Sequence, residues 1–291
     1  MPKVQSVSIC IARVPLDNVT SFATRTVSAR DYALLKLRST EGIEGIGFCY
    51  VGSMAGNIAQ IAVQELLAPK LIGEESLRVE GLWQDMYQES LLQGRAGSVV
   101  RAISILDTAL WDLNARSANL PLHLYMGANV TDTVPCYASG GYYLDGKTPD
   151  MLGEEMASYV AQGFKAVKMK VGRLSLSEEE DRVRAAREAV GPDIVLTLDA
   201  NNAWNDVPTA LQYIRRWEKY DPYWIEEPFG PDDIDSHSKL AQLTPVVVAT
   251  GEIAYGRWYH KELLDKRGAE ILQTDACVCG GITEWRRIAA L

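Results

Sequence analysis

Apolar and polar positions along the chain change their rhythm near residue 130. Before it, VQSVSICIARV (4–14) alternates with the two-residue period of a strand, and YALLKLRSTEGIEGIGFCY (32–50) alternates on both sides of a turn at Thr40, Glu41 and Gly42, which predicts a hairpin. The segment DNVTSFATRTVSA (17–29) between them is polar, holds Arg25 and has no core pattern, so a loop is expected over 17–30. Helical periodicity follows in NIAQIAVQELLAPKLIG, SLRVEGLWQDMYQ and the strongly amphipathic SVVRAISILDTALWDLNARSANL, which stops before Pro121. Strands followed by helices predict a separate α+β domain over 1–130.

From Val134 short apolar runs alternate with amphipathic helices: VPCYASG, FKAVKMK, IVLTLD, YWIEE, VVVATGE and EILQTD are each followed by a helical pattern. A capping box is expected at Ser177 with Glu180, and Gly163 is placed to end the helix before FKAVKMK. Alternation of this kind predicts parallel βαβ units over 131–291. Six in succession favour a β/α barrel of the TIM type, although spacing alone leaves a doubly wound sheet open.

Each predicted barrel strand from the second onward delivers charge at its C-terminal end: Lys168 and Lys170, then Asp199, Glu226, Glu252 and Asp275, at intervals of 23 to 29 residues. In a β/α barrel these ends meet on one face, where active sites are built. Three carboxylates meeting there suit a hard cation with oxygen ligands, Mg2+ above all. Lys168 and Lys170 share a strand face, and two ammonium groups so close, partly buried, should lower the pKa of at least one, which would fit it as a general base. Carbons next to a carboxylate are weak acids, and a bound metal would supply the positive charge that their deprotonation needs. The bland readings are surface charges at strand ends, Asp275 as a helix cap, Asn201 and Asn202 as turn formers, and Arg25 as a loop charge rather than a substrate contact. Tyr142 and Tyr143 are expected to pack or lie at the surface rather than to contact substrate, and GGITEW (280–285) is weak evidence for a phosphate cradle.

The composition, 47% apolar and 23% charged with a net charge of −9, is that of an ordinary globular protein. Without a basic stripe, nucleic acid is not an expected partner. No uninterrupted apolar run reaches ~18 residues, so no membrane span is expected and a cytoplasmic location is. The five cysteines form no CxxC pair and the three histidines lie far apart, which leaves a zinc site unsupported. Cys277 and Cys279 would share a face of a strand or strand end, most simply as core packing.

The motifs KMK (168–170), DANN (199–202), WIEEP (224–228), ATGE (249–252) and TDACVCGG (274–281) resemble, in order and spacing, those of the enolase superfamily, mandelate racemase-like group. ALLKLRSTEGIEGIGFCY and AISILDTALWDLNARSANLPLHLYMGA extend the resemblance to the cap, and CYASGG, WIEEP and ATGE look most like acid-sugar dehydratases. The resemblance implies Asp199, Glu226 and Glu252 as Mg2+ ligands, Lys170 as the proton-transferring base, Lys168 as neutraliser of the substrate carboxylate, and Asn201 as a substrate contact, with Arg25 a further candidate from the cap. Asp275 stands where this group carries an aspartate that orients a histidine of a seventh strand; no such histidine follows here, and the chain is expected to be C-terminally incomplete, with exposed sheet edges, poor solubility or no activity. The function implied is dehydration of an acid sugar to a 2-keto-3-deoxy acid. Racemisation or epimerisation of a 2-hydroxy acid, or a non-catalytic binding role, are the rivals. The partners expected are a small-molecule carboxylate and further copies of the same chain.

Overall fold

A computed structural model describes residues 2–128 and 133–291, so the expected domain boundary at 130/131 lies outside the described residues. Three strands, β1 (Val4–Phe22), β2 (Arg25–Ser39) and β3 (Glu44–Tyr50), form an antiparallel sheet in that order. The buried face of β2 carries Val27, Ala29, Asp31, Ala33, Leu35, Leu37 and Ser39, every second residue, as the pleat requires. Over that sheet lies the helix Ser98–Ser117. It comes so close to β3 that a Cβ on Gly45 would stand 2.3 Å from the Ala109 carbonyl, and one on Gly47 2.2 Å from that of Ile105. The two glycines are therefore a track for the helix backbone. Leu35, Leu37, Trp83, Met86, Ile103 and Leu106 fill the space between the layers.

The polar segment expected as a loop over 17–30 is instead the outer half of the β1–β2 hairpin. The ladder resumes beyond an irregularity between Pro15 and Thr20 and pairs Thr20 with Val27, Ser21 with Thr26 and Phe22 with Arg25. Backbone pairing and docking of the tip on the second sheet hold this stretch extended, and neither writes an apolar period into the sequence.

Six parallel strands make the second sheet, in sequence order: β4 (Ala138–Ser139), β5 (Ala166–Lys170), β6 (Val195–Asp199), β7 (Pro222–Glu226), β8 (Val247–Thr250) and β9 (Ile271–Leu272). A helix follows each of the first five, at Pro149–Ala161, Leu176–Val190, Val207–Trp217, Ile234–Ala241 and Gly256–Asp265. This is the succession of a β/α barrel, present as six of its strands, with β4 and β9 at the sheet edges. Val167, Met169, Leu196, Leu198, Ile225 and Val248 belong to its core.

Helix starts are chemically marked: Thr148, Asp206 and Asp233 each accept a backbone N–H of the first turn. The capping box of Leu176–Val190 is formed by Ser175 and Glu178, two residues before the expected Ser177 and Glu180. Glu180 reaches away to Arg216 and Lys219 instead. Gly163 and Gly191 follow their helices with φ of 101° and 78°, as expected of glycine stops. Cys277 and Cys279 lie in a short helix, Ala276–Cys279, so they do not share a face; Cys279 is buried and Cys277 partly so. No helix among the described residues is long and apolar enough to cross a membrane.

Candidate active site

The strand register sets the site. Lys170 pairs with Asp199, Asp199 with Glu226 and Glu226 with Ala249, so the charged ends of β5, β6 and β7 stand at one level of the sheet. Alternation turns Lys168 and Lys170 to the same side, where both are buried. Lys168 Nζ donates to Glu226 Oε1 and Oε2 at 2.6 and 2.7 Å and lies 3.3 Å from Asp199 Oδ2. Lys170 Nζ donates to Asp199 Oδ2 at 2.5 Å. Tyr137 lies under the Lys168 ammonium and Tyr142 under that of Lys170, each ring 5.4 Å away.

The electrostatics differ from the mutual repulsion expected of two lysines. Burial alone would lower the Lys168 ammonium, but Asp199 and Glu226 outweigh it and hold its pKa above the ordinary lysine value. Burial likewise opposes ionisation of Asp199, yet Lys170 and Lys168, helped by the Asn201 N–H, keep its carboxyl below the usual range. Glu226 goes the other way. Burial and the Asp199 charge push it up to about 7, against the pull of Lys168 and Gln273.

Two tight turns close over these strand ends. In DANN, Asn201 and Asn202 have φ of 43° and 63°, a conformation asparagine tolerates better than most residues. Asn201 N–H donates to Asp199 Oδ1 at 3.0 Å, and Asn202 spans to the next strand end through its N–H to the Glu227 carbonyl at 2.7 Å. Both are thus turn formers, and Asn201 also presents a side chain: its Oδ1 is buried without a donor. Glu227, with φ 44°, is buried too, and its Oε1 has no partner. Burial first, then Glu252, Asp199 and Glu226, push the Glu227 carboxyl up to about 8.

The hairpin tip roofs the site. Thr24 Oγ1 donates to the Asn201 carbonyl at 3.0 Å, and the Phe22 ring lies 5.9 Å from Lys170 Nζ. Under the tip a cavity of about 200 Å³ is lined by Phe22, Arg25, Arg101, Asn201, Glu227 and Glu252 among others. Arg25 and Glu252, distant in sequence, therefore face one space.

The donor set suits a hard divalent cation: Asp199 and Glu226 lie against the two ammonium groups, the charges of Glu252, Asp199 and Glu226 raise the Glu227 carboxyl, and a cation would neutralise such a group of carboxyls. The unpartnered oxygens of Glu227 and Asn201 are further acceptors with no protein donor. In the arrangement described, the ammonium groups take up oxygens of Asp199 and Glu226, and among the described residues no three His, Cys, Asp or Glu already converge as metal ligands.

Asp275 stands apart from this cluster. It is exposed and caps the helix Ala276–Cys279, its Oδ1 accepting the Cys277 N–H at 2.6 Å. His237 and His260 are buried on helices, bonded through Nδ1 to the Asp233 and Gly256 carbonyls. Gly280 and Gly281 of GGITEW pack on the cap: the Gly280 carbonyl accepts from Trp83 Nε1 at 2.7 Å, and a Cβ on Gly281 would stand 2.4 Å from Asp107 Oδ2. Sequence reasoning passed over Glu227, Arg101 and Gln273, which donates to Glu226 Oε2 at 2.8 Å. Gln273 was within reach, since it lies two residues before Asp275 in an alternating run; Arg101 sits in a helix whose pattern gives no sign of it.

Comparison with known proteins matches residues 5–127 to the mandelate racemase / muconate lactonizing enzyme N-terminal domain and residues 151–291 to the enolase C-terminal domain-like family. An arabinonate dehydratase of Saccharolobus solfataricus is 36% identical over 87% of this chain and 67% of its own length. An L-talarate/galactarate dehydratase of Salmonella typhimurium is 32% identical over 99% of this chain and 73% of its own. The crystal structure of a racemase from Streptomyces coelicolor with bound magnesium superposes with a TM-score of 0.94 at 30% identity, covering 99% of this chain and 80% of that one.

Proposed function

From the chain's membership of the mandelate racemase and muconate lactonizing enzyme family of the enolase superfamily, we propose that it is a Mg2+-dependent lyase that dehydrates an acid sugar to a 2-keto-3-deoxy acid. The observation that carries this reading is the buried cluster of Lys168, Lys170, Asp199 and Glu226 at one level of the sheet. Dehydratases acting on arabinonate and on talarate and galactarate support the substrate class, and the magnesium of the Streptomyces structure supports the metal. In this proposal the cap, 1–130, closes over the substrate, and the barrel, 131–291, performs the chemistry in an assembly of identical chains.

Asp199, Glu226 and Glu252 would hold the ion. What it supplies there is positive charge at the substrate carboxylate while the α-carbon loses its proton. Lys170 takes that proton, which requires Nζ first to give up the one it shares with Asp199 Oδ2. Lys168, kept charged by its carboxylate neighbours, offsets the substrate carboxylate. Asn201 and Arg25, at the cavity wall, bind the hydroxyls and carboxylate of a polyhydroxylated chain. As the Cα–H bond electrons form the C=C bond, the C–O bond to the β-hydroxyl breaks; the hydroxide takes up the proton carried by Lys170 and leaves as water, and the enol tautomerises to the 2-keto-3-deoxy acid.

The test is a panel of aldonates and aldarates with Mg2+, followed by detection of 2-keto-3-deoxy product and of deuterium exchange at the α-carbon. Lys170→Ala should abolish exchange and leave Mg2+ affinity within a few-fold, and Glu226→Gln should weaken Mg2+ by at least about tenfold, since losing even a partner of a metal ligand costs about 10- to 100-fold. Exchange without loss of the β-hydroxyl would instead favour the racemase reading. Exchange at the wild-type rate in Lys170→Ala would remove Lys170 from the mechanism.

A further inference from the structure

Behind the catalytic face, two charged residues of the helix Leu176–Val190 are wholly inside the protein: Glu179 is 0% and Arg182 3% exposed. An interior guanidinium needs charge and hydrogen-bond partners around it. Arg182 Nη2 donates to the carbonyl of Lys170 at 3.1 Å and to that of Gly141 at 2.8 Å. It thereby joins the last residue of β5 to the segment that leaves β4. Gly141 must be small there, since with φ at 67° a Cβ would stand 2.6 Å from that of Met169, the residue before Lys170.

The guanidinium is itself held from two sides. Its Nε lies 3.4 Å from Glu179 Oε2, an ion pair in which neither atom makes a hydrogen bond, and its carbon stacks 4.2 Å above the Tyr143 ring. Tyr143 donates its hydroxyl to Glu179 Oε1, which also accepts the N–H groups of Arg173 and Leu174, both at 2.9 Å. Tyr143 and Arg173 also hold the cap. Tyr143 exchanges backbone hydrogen bonds with Ser21 at 2.9 and 3.1 Å, and Arg173 Nη1 donates to the Phe22 carbonyl at 3.2 Å. Phe22 is the hairpin residue whose ring faces Lys170 Nζ.

We infer that Arg182, braced by Glu179 and Tyr143, is a positioning residue for Lys170: it fixes the backbone from which the catalytic ammonium hangs and locks that backbone to the cap tip that roofs it. This rests on the reading of Lys170 as the base. Arg182 touches no reacting atom, so its effect lies in geometry. A misplacement of a reacting group by about 1 Å can cost about 10²-fold in rate.

The experiment compares Arg182→Met, Arg182→Lys, Tyr143→Phe and Lys170→Ala in the full-length protein, using the acid sugar of the panel that the wild type turns over, together with a crystal structure of each folded variant. Arg182→Met should lower kcat by about 10- to 100-fold, with KM and Mg2+ affinity changed little at a temperature where the variant is folded; its thermal midpoint should fall, because the buried Glu179 loses its charge partner. The primary isotope effect on kcat for α-deuterated substrate should rise, because proton abstraction becomes limiting. Arg182→Lys, which keeps charge and a donor, should recover part of the loss. Its structure should keep the contact between Lys170 Nζ and Asp199, and that of Arg182→Met should lose it. Should Arg182→Met not fold, Tyr143→Phe carries the same test with a smaller fall in kcat. A rise in KM with kcat unchanged, or Lys170 in place in a slow Arg182→Met, would overturn the inference. If Lys170→Ala itself turns over normally, the reading of the base fails; if it is dead while Arg182→Met matches wild type, only the inference does.

Discussion

Asp107 lies in the cap helix Ser98–Ser117 with no exposure, and its two oxygens accept the Thr283 N–H at 2.8 Å and the Thr283 hydroxyl at 2.6 Å. Burial outweighs those bonds and pushes its carboxyl up to about 7 from the ordinary 3.8. The unfolded chain therefore releases this proton near its ordinary pKa, while the folded chain keeps it until near 7. Between those values the folded state binds more protons, so this group lowers stability as pH rises, by up to about 1.4 kcal/mol per pH unit. Below 3.8 and above about 7 its contribution is flat. Asp107→Asn should flatten the fall of the thermal midpoint between pH 5 and 7, measured without metal, by about one proton's worth. An unchanged slope would mean that the carboxyl ionises freely inside the cap. Nothing in ISILDTALWDL distinguishes this acid from a solvated one, because its partner lies 176 residues away. The strand-end charges were legible for the opposite reason. Lys168, Lys170, Asp199 and Glu226 each end a short apolar run, and period-two alternation fixes the side on which they emerge. Glu227 was hidden, since its place depends on a positive φ that a strand reading does not contain.

Elements were legible where side chains report their environment locally, and shifted where the backbone or a distant partner decides. Ser175 and Ser177 show the limit. Both precede an acidic residue by three positions, so the sequence offers two registers for one helix start. The structure chooses Ser175, which is extended at φ −62° and ψ 159° and exchanges both bonds of the box with Glu178. Glu180 is drawn off by Arg216 and Lys219 from the neighbouring βα unit, a contact invisible to local spacing. Ser175→Ala should cost about 1 kcal/mol in denaturant unfolding. Ser177→Ala, at an exposed position inside the first turn, should change stability by less than about 0.5 kcal/mol. The reverse order would restore the box read from the sequence. The outer half of the β1–β2 hairpin follows the same logic, since its extended form rests on ladder bonds and on the contacts of Ser21, Phe22 and Thr24 with the barrel.

At the scale of the molecule, six βα units at intervals of 23 to 29 residues made the barrel readable, whereas the way cap and barrel join was not. The helix Gly281–Ala289 follows the last strand yet is built into the cap. Trp111 Nε1 donates to Thr283 Oγ1 at 2.9 Å, Ser104 Oγ accepts the Gly280 N–H at 3.0 Å, and Arg287 pairs with Glu80 while lying 4.5 Å over the Trp83 ring. Thr283 is the pivot, its hydroxyl accepting from Trp111 as it donates to Asp107. With the hairpin tip also fixed on the barrel through Thr24, Tyr143 and Arg173, neither half can open without breaking hydrogen bonds to the other, those of Thr283 and Gly280 being buried. The chain should therefore unfold in one transition, with equal calorimetric and van't Hoff enthalpies. Thr283→Val keeps the side-chain shape but strips Asp107 Oδ1 and Trp111 Nε1 of their partner, at a cost of about 1–3 kcal/mol for each buried group so left. If the two halves are one cooperative unit, that loss lowers the whole transition. Amide hydrogen exchange in the cap helix Ser98–Ser117 should then speed up in step with exchange in the barrel helix Leu176–Val190. Two resolved transitions, with only the cap signal moved by Thr283→Val, would show that the halves fold independently and that the shared helix is a docking contact between them.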